Sequence, residues 1–239
     1  MNAYLAEFIG TAILVLMGNG VVANVVLKGT KGNNGGWVTI SFAWGLAVFC
    51  GVIIAGPYSG AHLNPAVTLS TMITGSLGIT PGLIYIVAQM FGAFVGATLV
   101  YTFYKNHFDI TEDADSKMAP FCTSPAIRNY GRNFVSELIG TFVLVFVILF
   151  FSTSGNTPTV GMGSLGAIPV TLLIVAIGMS LGGTTGYAIN PARDLGPRIM
   201  HAILPIKGKR DSDWSYSWIP VLGPLCGGAL AALIFILIF

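Results

Sequence analysis

The chain has 239 residues, of which 54% are hydrophobic and only 8% are charged, and its formal net charge is +2. Because soluble domains carry about 25% charged residues, this composition excludes an ordinary soluble protein and predicts an integral membrane protein. The small net charge, without a basic patch, argues against nucleic acid or an acidic partner, and three cysteines predict no disulfide framework.

The first half of the chain contains three apolar runs long enough to cross a bilayer, which takes about 20 helical residues. The predicted spans cover residues 3–27, 37–55 and 81–104. Between the second and third spans, residues 56–60 are rich in helix breakers, and the apolar run from Asn64 ends before Gly75. That run is too short to cross, which predicts a re-entrant half-helix.

The second half repeats this plan. Spans are predicted at residues 133–151 and 166–181 and from the end of the 207–215 loop to residue 239, with a half-helix at 190–201 and a Gly- and Thr-rich loop at 152–163. Residues 1–239 therefore form one all-α transmembrane domain of six spans and two half-helices. Its repeats cover approximately 1–104 and 131–239, and the loop 105–130 joins them.

The two halves also match in detail. The pattern Glu-x-x-Gly-Thr starts at Glu7 and again at Glu137, in the first span of each half. Small residues that let helices approach closely recur in the last spans, at Gly92 and Gly96 and at Gly227 and Ala231. Because each half crosses an odd number of times, the second half must insert upside down. The sequence thus predicts an inverted repeat with its site near the midplane.

Each half-helix begins with Asn-Pro-Ala. The two copies are Asn64, Pro65 and Ala66, and Asn190, Pro191 and Ala192. Asn is a favoured N-cap and Pro a favoured first helical residue, so each copy predicts a buried helix start. A helix N-terminus carries unpaired N–H groups and about half a positive charge. Two of them aimed at one place predict a polar site that disfavours cations.

Three titratable residues in or beside the apolar runs need a role. We expect Glu7 and Glu137 to accept hydrogen bonds from the irregular backbone before each half-helix, because buried N–H groups must be paired. The alternative is a proton relay. His62 is expected to be a hydrogen-bonded scaffold residue rather than a ligand. No residue spacing predicts a metal site, a cofactor site or an enzyme.

Arg193 lies one turn into the second half-helix, where the first half has Val67. An intramembrane Arg carries a permanent charge and five donors, so we expect it to serve function by donating into a water-lined path. Asp194 supports the structure either as an ion-pair partner or as a loop anchor, and the sequence leaves both open.

The doubled Asn-Pro-Ala motif, the Glu-x-x-Gly-Thr pair and the inverted halves resemble the aquaporin family across essentially the whole chain. Within that family the chain is most similar to the glycerol facilitators, or aquaglyceroporins. The features that carry this closer resemblance are Asp194 directly after Arg193, the pair Pro220-Val221 in the last span, and Trp44 in the second span.

The resemblance implies a selectivity filter of four residues, Trp44, Gly178, Tyr187 and Arg193. Gly178 stands where water-selective members have His, which implies added space, and Tyr187 stands where the facilitators usually have Phe. The extra phenol hydroxyl either narrows the filter or supplies a hydrogen bond. The resemblance also implies a homotetramer in the plasma membrane with one pore per subunit.

The expected pore has one apolar wall and one wall of backbone carbonyls from residues 56–63 and 182–189. The predicted carbonyl loops include Gly60, Ala61, His62, Leu63, Gly186, Ala188 and Ile189. Asn64 and Asn190 are expected to keep their caps and still offer amide N–H groups to a solute.

These expectations predict a passive channel for glycerol, other small uncharged solutes and water, which excludes ions and protons and needs no cofactor. The same logic admits protonated lactic acid, dihydroxyacetone and urea. One alternative is a proton-coupled secondary transporter in which Glu7 and Glu137 titrate. Others are a water-selective aquaporin and a structural membrane-junction protein with a vestigial pore.

The family places both chain termini in the cytoplasm, which leaves the two inner loops without Lys or Arg. The outer side then holds Lys28, Lys31, Lys105, Lys117, Arg128, Lys207, Lys209 and Arg210. The positive-inside rule predicts the opposite orientation. We expect the family's orientation, because a basic tail beyond Phe239 would restore the bias.

Overall fold

The computed structural model describes residues 1–151 and 163–239 and is helical throughout its regular parts. Its helices are α1 Ala3–Val26, α2 Gly36–Ser59, α3 Pro65–Ile73, α4 Ile79–Phe103, α5 Lys105–Ile110, α6 Ala114–Met118, α7 Tyr130–Phe151, α8 Ile168–Leu181, α9 Pro191–Ile203 and α10 Ile219–Ile238. Among the described residues, α1, α2, α4, α7 and α10 are the five helices long and apolar enough to cross a membrane. A 3₁₀ turn, Gly163–Ala167, precedes the shorter α8. The prediction of an all-α membrane fold is confirmed.

Several observed boundaries differ from the predicted ones. Helix α2 does not stop before Gly56 but continues through Pro57 to Ser59. A proline this close to a helix end removes only one hydrogen bond. The helix stops instead at Gly60, whose left-handed φ of 80° suits a residue without Cβ and whose N–H donates to the Gly56 carbonyl at 3.2 Å.

The segment 105–130 is not wholly a loop, because it contains α5 and α6. Asp113 caps α6 by accepting a hydrogen bond from the Ser116 N–H at 2.8 Å, which lets five residues form a helix. Helix α4 begins at Ile79, two positions before the predicted start, and α9 runs on to Ile203. The loop predicted at 152–163 lies outside the described residues, apart from Gly163.

Large apolar side chains cover the outside of the bundle. Val38, Ile79, Phe103 and Leu237 are 65%, 71%, 77% and 84% exposed. Lipid tails are as apolar as these side chains, so the hydrophobic effect gives little drive for helix to pack on helix, and close backbone approach must do so instead.

Glycines provide that close approach in both halves. A Cβ added to Gly92 of α4 would lie 2.3 Å from the Phe8 carbonyl oxygen of α1. In the second half, a Cβ on Gly227 of α10 would lie 2.3 Å from the Leu138 carbonyl oxygen of α7. The helix pairs α1 with α4 and α7 with α10 therefore touch nearly backbone to backbone.

Each half-helix packs mainly against a span of the other half, α3 against α10 and α9 against α4. Glycines make these contacts close as well. A Cβ on Gly228 would lie 2.8 Å from the Ala66 carbonyl oxygen, and one on Gly196 would lie 2.6 Å from the Ala93 Cβ. This exchange brings the N-termini of α3 and α9 together in the interior.

We expect Gly92→Ala to destabilise the protein by about 1–3 kcal/mol, because the new methyl group overlaps a backbone oxygen that cannot rotate away. Gly20→Ala in α1 is the matched control, since a Cβ there meets nothing within 4 Å. Thermal unfolding in detergent, followed by tryptophan fluorescence, measures both. Equal melting temperatures for the two variants would contradict this account of the α1–α4 contact.

Candidate functional site

A cavity of about 300 Å³ lies where the two half-helices meet. One wall is apolar and comes from spanning helices, with Leu14, Val48, Val52, Leu144, Ile148 and Ile174. The other wall comes from the two loops that precede the half-helices, with Gly60 to Asn64 and Tyr187 to Asn190, and from Arg193. The cavity thus pairs a hydrocarbon surface with backbone and side-chain hydrogen-bonding groups.

Both loops have an unusual backbone. The left-handed residues are Gly60, Ala61 and Leu63 in the first loop and Gly186, Tyr187 and Ile189 in the second. The φ angles are 52° at Ala61 and Leu63, 36° at Tyr187 and 42° at Ile189. Such conformations cost about 1–3 kcal/mol each in residues with a Cβ, so the surroundings must hold them in place. Left-handed residues in alternation with others turn successive N–H groups to one side, where they form an anion-binding concavity.

In the first half that anion is the Glu7 carboxylate, which is fully buried. It accepts hydrogen bonds from the N–H groups of His62 at 2.9 Å and Leu63 at 2.7 Å. Ser59 and Gln89 donate to the same carboxylate at 2.6 and 2.8 Å. Gln89 was not predicted as part of the site, although a lone amide in an otherwise apolar span was a signal for it.

Glu137 occupies the corresponding place in the second half and is 1% exposed. Its two oxygens accept hydrogen bonds from the N–H groups of Ala188 at 3.0 Å and Ile189 at 2.9 Å. In both halves the carboxylate binds the N–H groups, so the carbonyl groups of the loops remain available to the cavity.

The two asparagines join the halves to each other. The Asn64 side-chain oxygen accepts from the Ala66 N–H at 2.9 Å, and that of Asn190 accepts from the Ala192 N–H at 3.0 Å. The Asn64 amide donates to the Ile189 carbonyl and the Asn190 amide to the Leu63 carbonyl, both at 2.8 Å. Because an amide has two N–H groups, each asparagine retains one for a molecule in the cavity.

Arg193 and Trp44 both line the cavity, and their side chains are stacked on each other. The guanidinium carbon lies 4.1 Å from the centroid of the indole ring, which is a cation–π contact. Helix α1 makes room for the indole at Gly18, where a Cβ would lie 2.2 Å from a ring carbon. Both side chains are almost fully buried, at 6% and 4% exposure.

Gly178 does not line the cavity. A Cβ there would lie 2.9 Å from the Tyr187 ring and hydroxyl, so the space without a side chain is occupied by Tyr187. Gly186 also lies outside the lining and packs towards Thr123. The residues before Gly60 belong to α2, so the carbonyl wall of the first half begins later than expected.

Asp194 makes both of the contacts that the sequence left open. It pairs with the fully buried Arg198 at 2.7 Å and accepts from the Thr123 N–H at 2.8 Å. Arg198 also donates to the Thr123 carbonyl at 2.9 Å and the Ser212 carbonyl at 2.6 Å. Arg198 was not predicted as part of the site, although its position four residues after Asp194 predicts such a pair. Together these residues connect α9 to the segments before α7 and α10.

A second ion pair joins those same segments outside the membrane. Arg128 donates to Asp213 at 3.0 and 2.5 Å. Burial raises the pKa of Asp213. The hydrogen bonds and charge of Arg128, a hydrogen bond from Ser215 and the charge of Arg198 together outweigh burial, so this pKa lies below its usual range. The hydrogen bonds to Asp213 raise the pKa of Arg128. The carboxylate therefore stays charged at neutral pH, and its contribution is lost as the pH falls through its lowered pKa.

His62 is held at the cavity by hydrogen bonds and ring packing. Its Nδ1 lies 3.1 Å from the Thr68 hydroxyl, and its ring meets Tyr85 edge-on with centroids 5.2 Å apart. In the part of the chain that the structure describes, no group of three His, Cys, Asp or Glu side chains could hold a metal ion.

We expect Glu137→Gln to lower stability by about 1–3 kcal/mol, because the amide group of Gln would face one of the two loop N–H groups and leave it unpaired. Glu112→Gln is the control, since that side chain is 93% exposed. Thermal unfolding in detergent compares them. A Glu137→Gln protein as stable as its parent, in which solute flux has lost a dependence on the proton gradient, would instead favour a proton relay.

The comparisons with known proteins agree over the whole chain. The family model described as Major intrinsic protein matches residues 1–235. The chain is 54% identical over 234 residues to a probable glycerol uptake facilitator protein of Thermotoga maritima, with 97% of each chain covered. It is 52% identical over 235 residues to a glycerol uptake facilitator protein of Streptococcus pneumoniae, with 98% of each covered.

A solved structure with a similar fold is the X-ray structure of the aquaglyceroporin from Plasmodium falciparum. The TM-score is 0.83 and the sequence identity 32%, over 97% of this chain and 93% of that one.

Proposed function

The chain belongs to the major intrinsic protein family, and from this premise we propose that it is a passive, multi-pass plasma-membrane channel that conducts glycerol and other small uncharged solutes together with water. The names of its relatives and its aquaglyceroporin-like fold support glycerol as the solute. The observation that carries the proposal is the two-sided cavity, which has hydrocarbon on one wall and hydrogen-bonding groups on the other.

A polyol is matched to such a cavity. Its carbon backbone lies against the apolar wall, while its hydroxyl groups exchange bonds with the carbonyls of Ala61 to Leu63 and Tyr187 to Ile189. A hydroxyl that leaves water without a new partner costs about 1–3 kcal/mol. The fixed carbonyls supply these partners in succession, so the solute moves without a deep barrier or a deep binding well.

Charged solutes are excluded by the positive electrostatic potential at the cavity. The N-termini of α3 and α9 each contribute about half a positive charge at the cavity, and Arg193 adds a full one. Cations are repelled there, and an anion such as a carboxylate is held by the guanidinium rather than passed on. The proposed additional solutes, namely protonated lactic acid, dihydroxyacetone and urea, are all uncharged.

We assign the selectivity filter to Trp44, Tyr187 and Arg193, with Gly178 behind Tyr187 rather than in the pore wall. Arg193 donates to hydroxyl groups, and the rings of Trp44 and Tyr187 supply apolar surface for carbon. The two Asn-Pro-Ala motifs form the midplane contact between halves inserted in opposite directions. The family resemblance supports a homotetramer with one pore per subunit and a role in transport rather than catalysis.

The secondary transporter is the rival hypothesis, and the carboxylate contacts argue against it. Glu7 accepts from two backbone N–H groups and two side chains, and Glu137 accepts from two backbone N–H groups. These bonds hold the strained loops in place, which gives both carboxylates a structural role.

Stopped-flow light scattering on proteoliposomes tests the proposal. We expect glycerol flux well above that of protein-free liposomes, without saturation and without dependence on an imposed pH gradient. Water flux should rise as well. Fast water flux with glycerol permeability equal to that of protein-free liposomes would overturn the proposal in favour of a water-selective pore.

Replacement of Gly178 tests the assigned filter. In Gly178→Ala, the new methyl group overlaps Tyr187 at 2.9 Å and should push the ring into the pore. Overpacking costs about 1–3 kcal/mol, and about 1.4 kcal/mol corresponds to tenfold, so we expect about a tenfold loss of glycerol permeability and a smaller loss for water. Gly183→Ala, where a Cβ meets nothing within 4 Å, is the control. If glycerol permeability is the same in both variants, Tyr187 does not limit the pore.

A further inference from the structure

The Tyr187 ring lies in a slot between α2 and α8. On the α8 side the slot is formed by Gly178 and Gly182, one helical turn apart, where added Cβ atoms would lie 2.9 and 2.5 Å from the ring. On the α2 side it is formed by Trp37 and Ser41, also one turn apart. The Trp37 ring meets the tyrosine ring edge-on at 5.7 Å between centroids. We call these four residues the aromatic slot.

Trp37 is itself fixed to the opposite wall. Its indole N–H donates to the Gly178 carbonyl at 2.8 Å, which ties α2 to α8 at the level of the ring. The slot is therefore a tight, braced compartment. Tyr187 also lines the cavity, so a ring that moves out of the slot on that side enters the cavity.

The tyrosine hydroxyl points into the slot and not into the cavity. Its oxygen is shielded from solvent, and so is the Ser41 hydroxyl oxygen, and neither has a hydrogen-bond partner among the described residues. Tyr187 is 5% exposed and Ser41 is 0% exposed. The tyrosine oxygen and the Ser41 Cβ lie within 2.9 and 3.0 Å of the same point, the position of a Gly178 Cβ.

Two buried hydroxyl groups that are close together and otherwise unpaired satisfy each other at small cost, because hydroxyl hydrogens rotate freely. Left unpaired, each would carry the full penalty of a desolvated polar group. The Ser41 hydroxyl does not bond to a backbone carbonyl of its own helix, although serines in helices often do so. The geometry leaves Tyr187 as its partner.

We propose that Ser41 is a positioning residue for solute selectivity, whose hydroxyl pairs with the Tyr187 hydroxyl and holds the ring in the aromatic slot, away from the path of the solute. This rests on the proposed function. How far the Tyr187 ring lies inside the aromatic slot then determines the width of the pore beside it. A phenylalanine in its place would fill the slot without this hydroxyl contact.

The loss of the hydroxyl pair should affect solutes according to size. When the ring is free to move out towards the cavity, it narrows the pore for part of the time. A polyol with a carbon backbone is hindered more than water, and the four-carbon erythritol more than glycerol. The ratio of glycerol to water permeability therefore reports on the pair, whereas a general loss of folded protein lowers both permeabilities together.

The test is a double-mutant cycle in proteoliposomes with Ser41→Ala, Tyr187→Phe and the double variant. We expect each single change to lower glycerol permeability about fivefold, a factor typical of one buried hydrogen bond, with water permeability little changed. The double variant should resemble either single one, because all three lack the same pair. Thr39→Ala is the control, since that hydroxyl lies on the exposed side of α2 and donates to the Gly35 carbonyl of its own helix.

The outcomes separate this inference from the proposed function. If the parent passes glycerol and both single variants match it, the inference is overturned and the proposed function stands. Losses that multiply in the double variant also overturn the inference, since they show independent effects. If the parent passes no glycerol, both are overturned. If Ser41→Ala does not fold, the test rests on Tyr187→Phe, which keeps the ring. A lowered ratio of glycerol to water permeability in that variant supports the inference, and an unchanged ratio overturns it.

Discussion

The pairing of loop N–H groups with a buried carboxylate is the interaction on which the rest of this structure depends. Inside a bilayer no water can satisfy an irregular backbone, so the two loops before the half-helices need internal partners. Glu7 and Glu137 provide them on one side. The carbonyl oxygens of the same loops remain able to bond a passing solute, although those of Leu63 and Ile189 already accept one hydrogen bond from an asparagine. Unpaired backbone groups would normally exclude such a loop from a bilayer, but here those groups are the ones that bond the solute.

The helix arrangement follows from the need to hold these loops from both ends. Each half-helix packs against a span of the other half, and each asparagine donates to the loop of the other half. Neither loop is thus supported by its own half alone. Glycines at the helix crossings give the close contact that this exchange requires, since in lipid the hydrophobic effect does not hold helices together.

The two halves use the same scaffold but differ at the site. Val67 in α3 corresponds to Arg193 in α9, so one side of the cavity has a permanent charge and the other does not. The charged side needs more support, and Asp194 and Arg198 give it by connecting α9 to the segments before α7 and α10. Backbone pairing thus rests on features that both halves repeat, whereas the permanent charge at the cavity comes from the second half alone.

The sequence alone determined the membrane fold, the near positions of the spans and the two capped half-helices, because bilayer thickness, helix length and backbone pairing leave few alternatives. It also indicated that Glu7, Glu137 and Arg193 are important, because a charged side chain inside the membrane is costly and normally has a partner or a function. Only the tertiary structure decided what fills the space at Gly178, and which partners Gln89 and Arg198 bind. Those outcomes depend on how helices and loops pack in three dimensions, which local periodicity and capping do not encode. From the sequence, the glycine at position 178 predicts open space in the filter. Only the packing of the folded chain shows that the Tyr187 ring fills that space.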